Sequence, residues 1–263
     1  MKGTTRVQAL LRCIDVAKSF GGVQALKSVT LTADDHKITG IVGPNGSGKS
    51  TLLKLISGFY RLDGGDIIFD GHRITNIDPH DICCMGISRT SQIVQAFYGM
   101  TTLENVLVGS TFGARNRVPK SERRQVAEDA LSIVKFPPEK INCLVSDLTI
   151  AELKRVQLAK ALASKPKLLL LDELLTGLNP TESDKEIQLI RKINAFGTTI
   201  IIIEHVMRII MGLCDKVIVL HHGEKIAEGT PEEISKNDSV VKVYLGKKYA
   251  LREDNSVTQG VAK

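Results

Sequence analysis

Eight consecutive residues constrain the fold of this chain more than any other feature. Gly43-Pro44-Asn45-Gly46-Ser47-Gly48-Lys49-Ser50, followed by Thr51, fits G-x-x-x-x-G-K-[ST]. The pattern has physical meaning only where a buried strand runs into a loop and the loop into a helix. Residues 36–42 have the composition of such a strand. Residues 49–56 have helical character and stop near Gly58, a residue suited to a left-handed C-terminal cap. The glycines let backbone N–H groups turn inward around phosphate oxygens, and the helix start adds the positive end of a dipole. Lys49 supplies a full charge at the outer phosphates, and Ser50 offers a hydroxyl to Mg²⁺. The loop predicts nucleotide binding.

Around that loop, β-like runs alternate with amphipathic stretches, the pattern of a largely parallel sheet covered by helices. Strands are expected over 10–16 and 28–33, paired antiparallel across Phe20-Gly21-Gly22, and over 167–171, 198–203, 215–220 and 225–227, the last two flanking a His221-His222-Gly223 turn. From about 101 to 163 the β-branched runs thin out, and helical patterns at 122–134 and 152–163 dominate, so this part is expected to be an inserted helical lobe. A helix over 181–196 is expected to be capped by Asn179 with Pro180 at its first position. Thr230-Pro231-Glu232-Glu233 has capping-box spacing, and 246–263 is polar and expected to fray. The fold class is therefore α/β. We expect a single domain over all 263 residues, with a core lobe from 1–97 and 164–228, a helical lobe at 98–163, and a C-terminal helix and tail at 229–263.

Other classes are disfavoured. The longest apolar runs, such as 168–171 and 200–203, fall far short of the roughly 20 residues that span a bilayer, and no secretory h-region is readable over 1–18, so residence in the cytosol is expected. Five cysteines without Cys-x-x-Cys spacing indicate neither a disulfide framework nor a zinc ribbon, and buried free thiols are expected. Aromatics at 4% with no Trp argue against a base-stacking platform. A formal charge of +6 is compatible with phosphates, nucleic acid or an anionic membrane surface and does not choose among them.

A second site is expected where the apolar run 168–171 ends in Asp172 and Glu173. A strand tip presenting Asp172 suits Mg²⁺, which prefers oxygen ligands, and Glu173 is placed to polarise an attacking water. His205 follows the strand 198–203 after Glu204 and is a candidate for contact with the γ-phosphate and the catalytic carboxylate. Gln92, in Ser88-Arg89-Thr90-Ser91-Gln92, is a candidate for reaching Mg²⁺ and the water. Phe20 is a candidate for stacking on adenine or, equally, for a small core aromatic.

Taken in order, Phe20, the loop from Gly43 to Thr51, Gln92, Leu148-Thr149-Ile150-Ala151-Glu152-Leu153-Lys154-Arg155, the run ending at Glu173, Gly177-Leu178-Asn179-Pro180 and His205 resemble the nucleotide-binding subunits of ABC transporters. The resemblance covers nearly the whole chain. The Phe-Gly-Gly start, the Gly-Leu-Asn-Pro segment and the stretch 223–231 further resemble the ATPases of branched-chain amino-acid importers. The resemblance implies ATP and Mg²⁺ as ligands and a head-to-tail dimer, with an identical or a different second ATPase. In that dimer Thr149, Ala151 and Glu152 of one chain would complete the site on the other chain's loop. It also implies a membrane permease as partner, an extracytoplasmic solute-binding protein in the system, a place on the cytoplasmic face of the membrane, and no nucleic-acid partner.

The sequence departs from the family pattern at several positions. Leu148-Thr149-Ile150-Ala151-Glu152 stands where Leu-Ser-Gly-Gly-Gln is usual: Ala151 adds a methyl and Glu152 a negative charge near phosphates, so a slower site is expected. Leu174 stands for a usual Pro, Ser91 for a usual Phe and Asn179 for a usual Asp. Urea, amides or lipid are alternative cargoes. A soluble ATPase acting on nucleic acid would generally need a coiled-coil insertion or two cassettes. A small-molecule kinase would leave residues 148–155, Gln92 and His205 without roles.

Overall fold

The computed structural model describes residues 9–113, 118–175 and 180–245. It opens with β1 (Ala9–Phe20) and β2 (Val23–Asp34), an antiparallel hairpin turning at Gly21 and Gly22. Both strands run beyond the expected 10–16 and 28–33: of the added residues near the turn only Leu26 is buried, and the others are exposed or half-buried with no apolar alternation to mark a strand. A bulge carries β1 past its polar stretch: Asp15 takes a φ of 49° and the register shifts between Cys13 and Val16.

β3 (Ile38–Val42) enters the glycine-rich loop and α1 (Lys49–Ile56) leaves it. Ser57 N and Gly58 N donate to Leu53 O and Leu55 O, and Gly58, at a φ of 73°, ends the helix in the expected left-handed conformation. There follow β4 (Gly64–Phe69), β5 (His72–Arg73), α2 (Pro79–Met85) and β6 (Ile87–Arg89). Those three strands were not foreseen, since Gly64-Gly65 reads as a turn and the others are only two and three residues long.

Three helices come next, α3 (Thr102–Phe112), α4 (Arg123–Ile133) and α5 (Ile150–Ala163). α4 starts one residue later than expected, behind a 3-10 turn at Lys120–Glu122. α5 starts two residues earlier than expected, because Thr149 and Glu152 close a capping box around its first turn. The chain then returns to the sheet through β7 (Leu168–Asp172), α6 (Pro180–Ala195), β8 (Thr199–Ile203), α7 (Met207–Leu213), β9 (Lys216–His221) and β10 (Glu224–Gly229). It closes with α8 (Pro231–Ser235), which carries the expected Thr230 capping box, and α9 (Asp238–Leu245). Asn179, the expected cap of α6, lies outside the described residues with the rest of 176–179, as does the tail 246–263.

The strands make two sheets, an antiparallel one ordered β2-β1-β4-β5 and a larger one ordered β10-β9-β3-β8-β7-β6. In the larger sheet β9, β3, β8, β7 and β6 are parallel and only the edge strand β10 is antiparallel. Its central strands β3, β7 and β8 are buried along their whole length, which is why they read as unbroken apolar runs. Alternate side chains divide between two cores. Leu169, Leu171, Ile200 and Ile202 pack with α4, α5, α6 and α7, whereas Leu168, Leu170, Ile201 and Ile203 pack with α1 and the antiparallel sheet.

This parallel arrangement places the carboxyl ends of β3, β7 and β8 along one edge, where open α/β sheets bind ligands. Among the described residues no helix is long and apolar enough to cross a membrane. The five cysteines are free, but only Cys13 and Cys214 are buried; Cys83, Cys84 and Cys143 are partly exposed.

Candidate active site

The glycine-rich loop has the backbone its sequence requires. Gly43, Gly46 and Gly48 take φ values of 152°, 79° and 101°, the region that L side chains rarely adopt. A Cβ on Gly43 would run into Leu220 O and one on Gly48 into Ala25 O, whereas space around Gly46 is open. The loop is braced from outside: Gly223 N, in the β9–β10 turn, donates to Ser47 O at 3.2 Å, and Lys27 N of β2 donates to Gly223 O at 2.8 Å.

Within the loop several donors lack a protein partner. α1 has no side-chain cap and no acidic residue in its first turn, so its leading N–H groups and dipole end face the loop uncompensated. The Ser47 hydroxyl is buried without a hydrogen bond. Lys49 is buried, and its Nζ donates to Gly43 O at 2.8 Å and Pro44 O at 2.9 Å. Burial lowers the Lys49 pKa, and the neighbouring Glu173 and Asp172 pull it back up. A buried cation held only by two carbonyls beside unsatisfied donors is a site for an anion.

The tip of β7 supplies the opposing carboxylates. Ser50 Oγ donates to Asp172 Oδ1 at 3.3 Å. Burial raises the Asp172 carboxyl above its ordinary range, and Arg89 works in the opposite direction. Two oxygen donors this close, one on a buried carboxylate, fit the donor set of Mg²⁺.

Glu173 follows with a φ of 52°, a left-handed conformation that costs on the order of 1–3 kcal/mol for a side chain without local compensation. Its N–H donates to Ile203 O at 3.0 Å. Both carboxylate oxygens are engaged: Gln92 Nε2 donates to Oε2 at 2.6 Å, and His205 Nε2 lies 2.6 Å from Oε1. Three separate segments, after β6, β7 and β8, therefore meet at one carboxylate. The chain just beyond it is held as well, since Lys154 Nζ donates to Leu174 O at 3.1 Å and Leu175 N donates to Glu204 Oε1 at 2.7 Å.

Phe20 stands at the end of β1 with its ring 43% exposed, edge-on to Tyr60 at a centroid distance of 5.0 Å. It is not a core aromatic.

Thr149, Ala151 and Glu152 are not drawn into this cluster. Thr149 Oγ1 accepts from Glu152 N at 3.3 Å and donates to Glu152 Oε2 at 2.9 Å, while Thr149 N donates to the same carboxylate oxygen at 2.9 Å. Lys140 Nζ is 2.6 Å from Glu152 Oε1. The hydrogen bond from Lys140, then the one from Thr149 N, holds the Glu152 carboxyl down at about 2. The charge expected to stand free toward phosphates is thus tied into its own helix cap.

Sequence reasoning missed two residues that hold these segments, Lys140 and Glu204. Lys140 gave no local signal, being twelve residues from Glu152 in the chain. Glu204 did give one: an ionisable residue set directly after the buried run 200–203.

A glycine-rich phosphate loop on the central strand of a parallel sheet, two carboxylates on the next strand but one, and a three-helix insertion define a P-loop ATPase of cassette type. The chain belongs to the ATP-binding cassettes of ABC transporters: the ABC transporter family profile matches residues 26–176, and a second profile, of branched-chain amino acid ATP-binding cassette transporters, matches 224–250. It is 35% identical to a probable branched-chain amino acid transport ATP-binding protein LivG of Archaeoglobus fulgidus, over 96% of this chain and 99% of that protein. It is 34% identical to the high-affinity LivG protein of Escherichia coli, over 91% and 98% of the two chains. A nucleotide-free ATP-binding cassette from an ABC transporter superposes with a TM-score of 0.81 at 31% identity, covering 91% of this chain and all of that one. A dimeric cassette in a post-hydrolysis state with ADP and Pi gives 0.76 at 27% identity, covering 84% and 98%. The protein is an ATP-binding, ATP-hydrolysing subunit of an ABC transporter.

Proposed function

We propose that this ATPase drives uptake of branched-chain or other amino acids through a membrane permease, on whose cytoplasmic face it sits, paired with a second cassette and served by an extracytoplasmic solute-binding protein. The match of residues 224–250 to the branched-chain profile carries the choice of cargo. Uptake of labelled leucine by cells expressing a Lys49→Ala form tests it. Leucine uptake falls on this reading; unchanged leucine uptake with a loss of urea or lipid transport would overturn it.

In the site, Gly43, Pro44, Asn45, Gly46, Ser47, Gly48 and Thr51 form the cradle for the triphosphate, and Phe20 is placed to cover the adenine. Lys49 exchanges its two loop carbonyls for phosphate oxygens, and the uncapped start of α1 adds the dipole end. Ser50 and Asp172, with Gln92 nearby, would hold Mg²⁺, which supplies charge neutralisation on the phosphate oxygens. Glu173 takes the proton from the attacking water, and Gln92 and His205 orient its two oxygens toward that task. Thr149, Ala151 and Glu152, at the start of α5, complete the site of the facing cassette. The lobe boundaries at 98 and 163 then separate the part that grips nucleotide from the part that reaches across the seam.

The Glu173 cluster supports this mechanism, and Glu173→Gln tests it: ATP binding persists and turnover is nearly lost. Undiminished hydrolysis would remove Glu173 from the role of base.

A further inference from the structure

Beyond the residues that meet the phosphates, the end of β8 holds an acid with no part in the chemistry described above. Glu204 is 1% exposed. Its Oε1 accepts the Leu175 N–H at 2.7 Å, and its Oε2 has no hydrogen-bond partner. A buried carboxylate kept with half of its capacity unmet is expensive, so the bond it makes to the main chain is the contact that accounts for its presence there.

Three successive residues grip the turn after β7. Ile203 O takes the Glu173 N–H, Glu204 takes the Leu175 N–H, and His205 meets the Glu173 carboxylate. Between the two held amides lies Glu173 in its left-handed conformation. A residue in that region keeps its geometry only where the surroundings over-determine it. Lys154, on α5, donates to the intervening Leu174 carbonyl.

We propose that Glu204 is a positioning residue for hydrolysis, clamping the Leu175 amide so that Glu173 stays in the strained turn with its carboxylate aimed between Gln92 and His205. This rests on Glu173 acting as base. What the clamp needs is an acceptor oxygen at Oε1, and a glutamine side chain offers one with the same reach.

The test is ATP turnover by the full chain, alone and in its assembled transporter, for Glu204→Gln, Glu204→Ala and Glu204→Met. The Met variant fills the space without a comparable acceptor, so it reports on the clamp should the Ala variant fold poorly. The expected result is a loss of kcat of about tenfold or more in the Ala and Met forms with KM for ATP within about twofold of normal, the split that marks a transition-state effect. The Gln form should keep at least about half of kcat. Full turnover in a folded Met form, a Gln form as slow as the Met form, or a change confined to KM would each overturn the proposal. Glu173→Gln, measured alongside, separates the failures: if it still hydrolyses ATP, the assignment of the base is wrong regardless of what Glu204 does.

Discussion

The starts of α1 and α5 are both expected to face phosphate, one in the chain's own site and one in its partner's, yet they are prepared in opposite ways. α1 begins without a side-chain cap and without an acid in its first turn, behind a loop with an unsatisfied serine hydroxyl and a buried lysine. α5 begins with a closed capping box in which Glu152 takes the Thr149 N–H and hydroxyl and is itself held by Lys140. The first terminus leaves its donors open for a ligand. The second has its Thr149 hydroxyl and N–H and its Glu152 N–H already engaged inside the cap. One helix start is a finished receptor, and the other is latched shut by its own side chain.

Changes at the finished receptor should have the largest effects. Glu173→Gln should cost on the order of 10²–10⁴-fold in turnover, the usual worth of a positioned base, with ATP affinity retained in calorimetry. Lys49→Ala should weaken ATP binding by on the order of 10²-fold, since it removes a desolvated charge from the phosphates. A Lys49→Ala form that binds ATP normally would mean that the backbone cradle suffices without the cation.

At the latched terminus the effects should be smaller and of opposite sign in two variants. In a Glu173→Gln background with ATP, light scattering should show Lys140→Ala weakening dimerisation by about 2–5-fold, the scale of one exposed ion pair, because it leaves the Glu152 charge unneutralised where the partner's phosphates are expected. Ala151→Gly combined with Glu152→Gln should strengthen it by a similar factor. Shifts in the same direction would break the contrast between the two helix starts.

The smallest effects concern pH, where two glutamates diverge. Hydrogen bonds from Lys140 and Thr149 push Glu152 down to about 2, so its cap stabilises the fold above the ordinary carboxylate range and is lost as pH falls toward 2. Burial pushes Glu204 up to about 7, against the pull of the Leu175 amide and His205 and with some help from Glu173. The folded state therefore holds a proton that the unfolded state has released, and stability falls as pH rises from the ordinary range to about 7. Glu204→Gln should raise the melting temperature at pH 8, by ~2–4 °C for each kcal/mol of relieved burial, with the gain gone by about pH 4. A gain independent of pH would mean that Glu204 is not the group carrying the burial penalty.

Local chemistry decided what could be foreseen. The strand, loop and helix from Ile38 to Ile56 were legible because the loop's spacing, the fully buried strand and the Gly58 stop all point the same way. Asp172, Glu173 and His205 were legible because parallel strands end at one edge, and an acid or histidine after a buried run must therefore stand there. β4 to β6 were not, because strands of two or three residues, or beginning Gly-Gly, have no periodicity to show. Nor was the Lys140 contact to Glu152, which depends on how the turn after α4 packs against the start of α5. Thr149 and Glu152 do have capping-box spacing in the sequence, but the Lys140 partner that neutralises the Glu152 charge is visible only in the structure.

The bond from Gly223 to Ser47, with Lys27 behind it, has a practical consequence. The hairpin joining β9 to β10 is an abutment for the phosphate loop, so its length is set by what it presses against. Anyone choosing a place for an epitope or fluorophore would find this exposed-looking corner attractive. An insertion there would slacken the loop from behind and show up as poor ATP retention, although the added residues would lie about 174 positions downstream of the lysine they disturb.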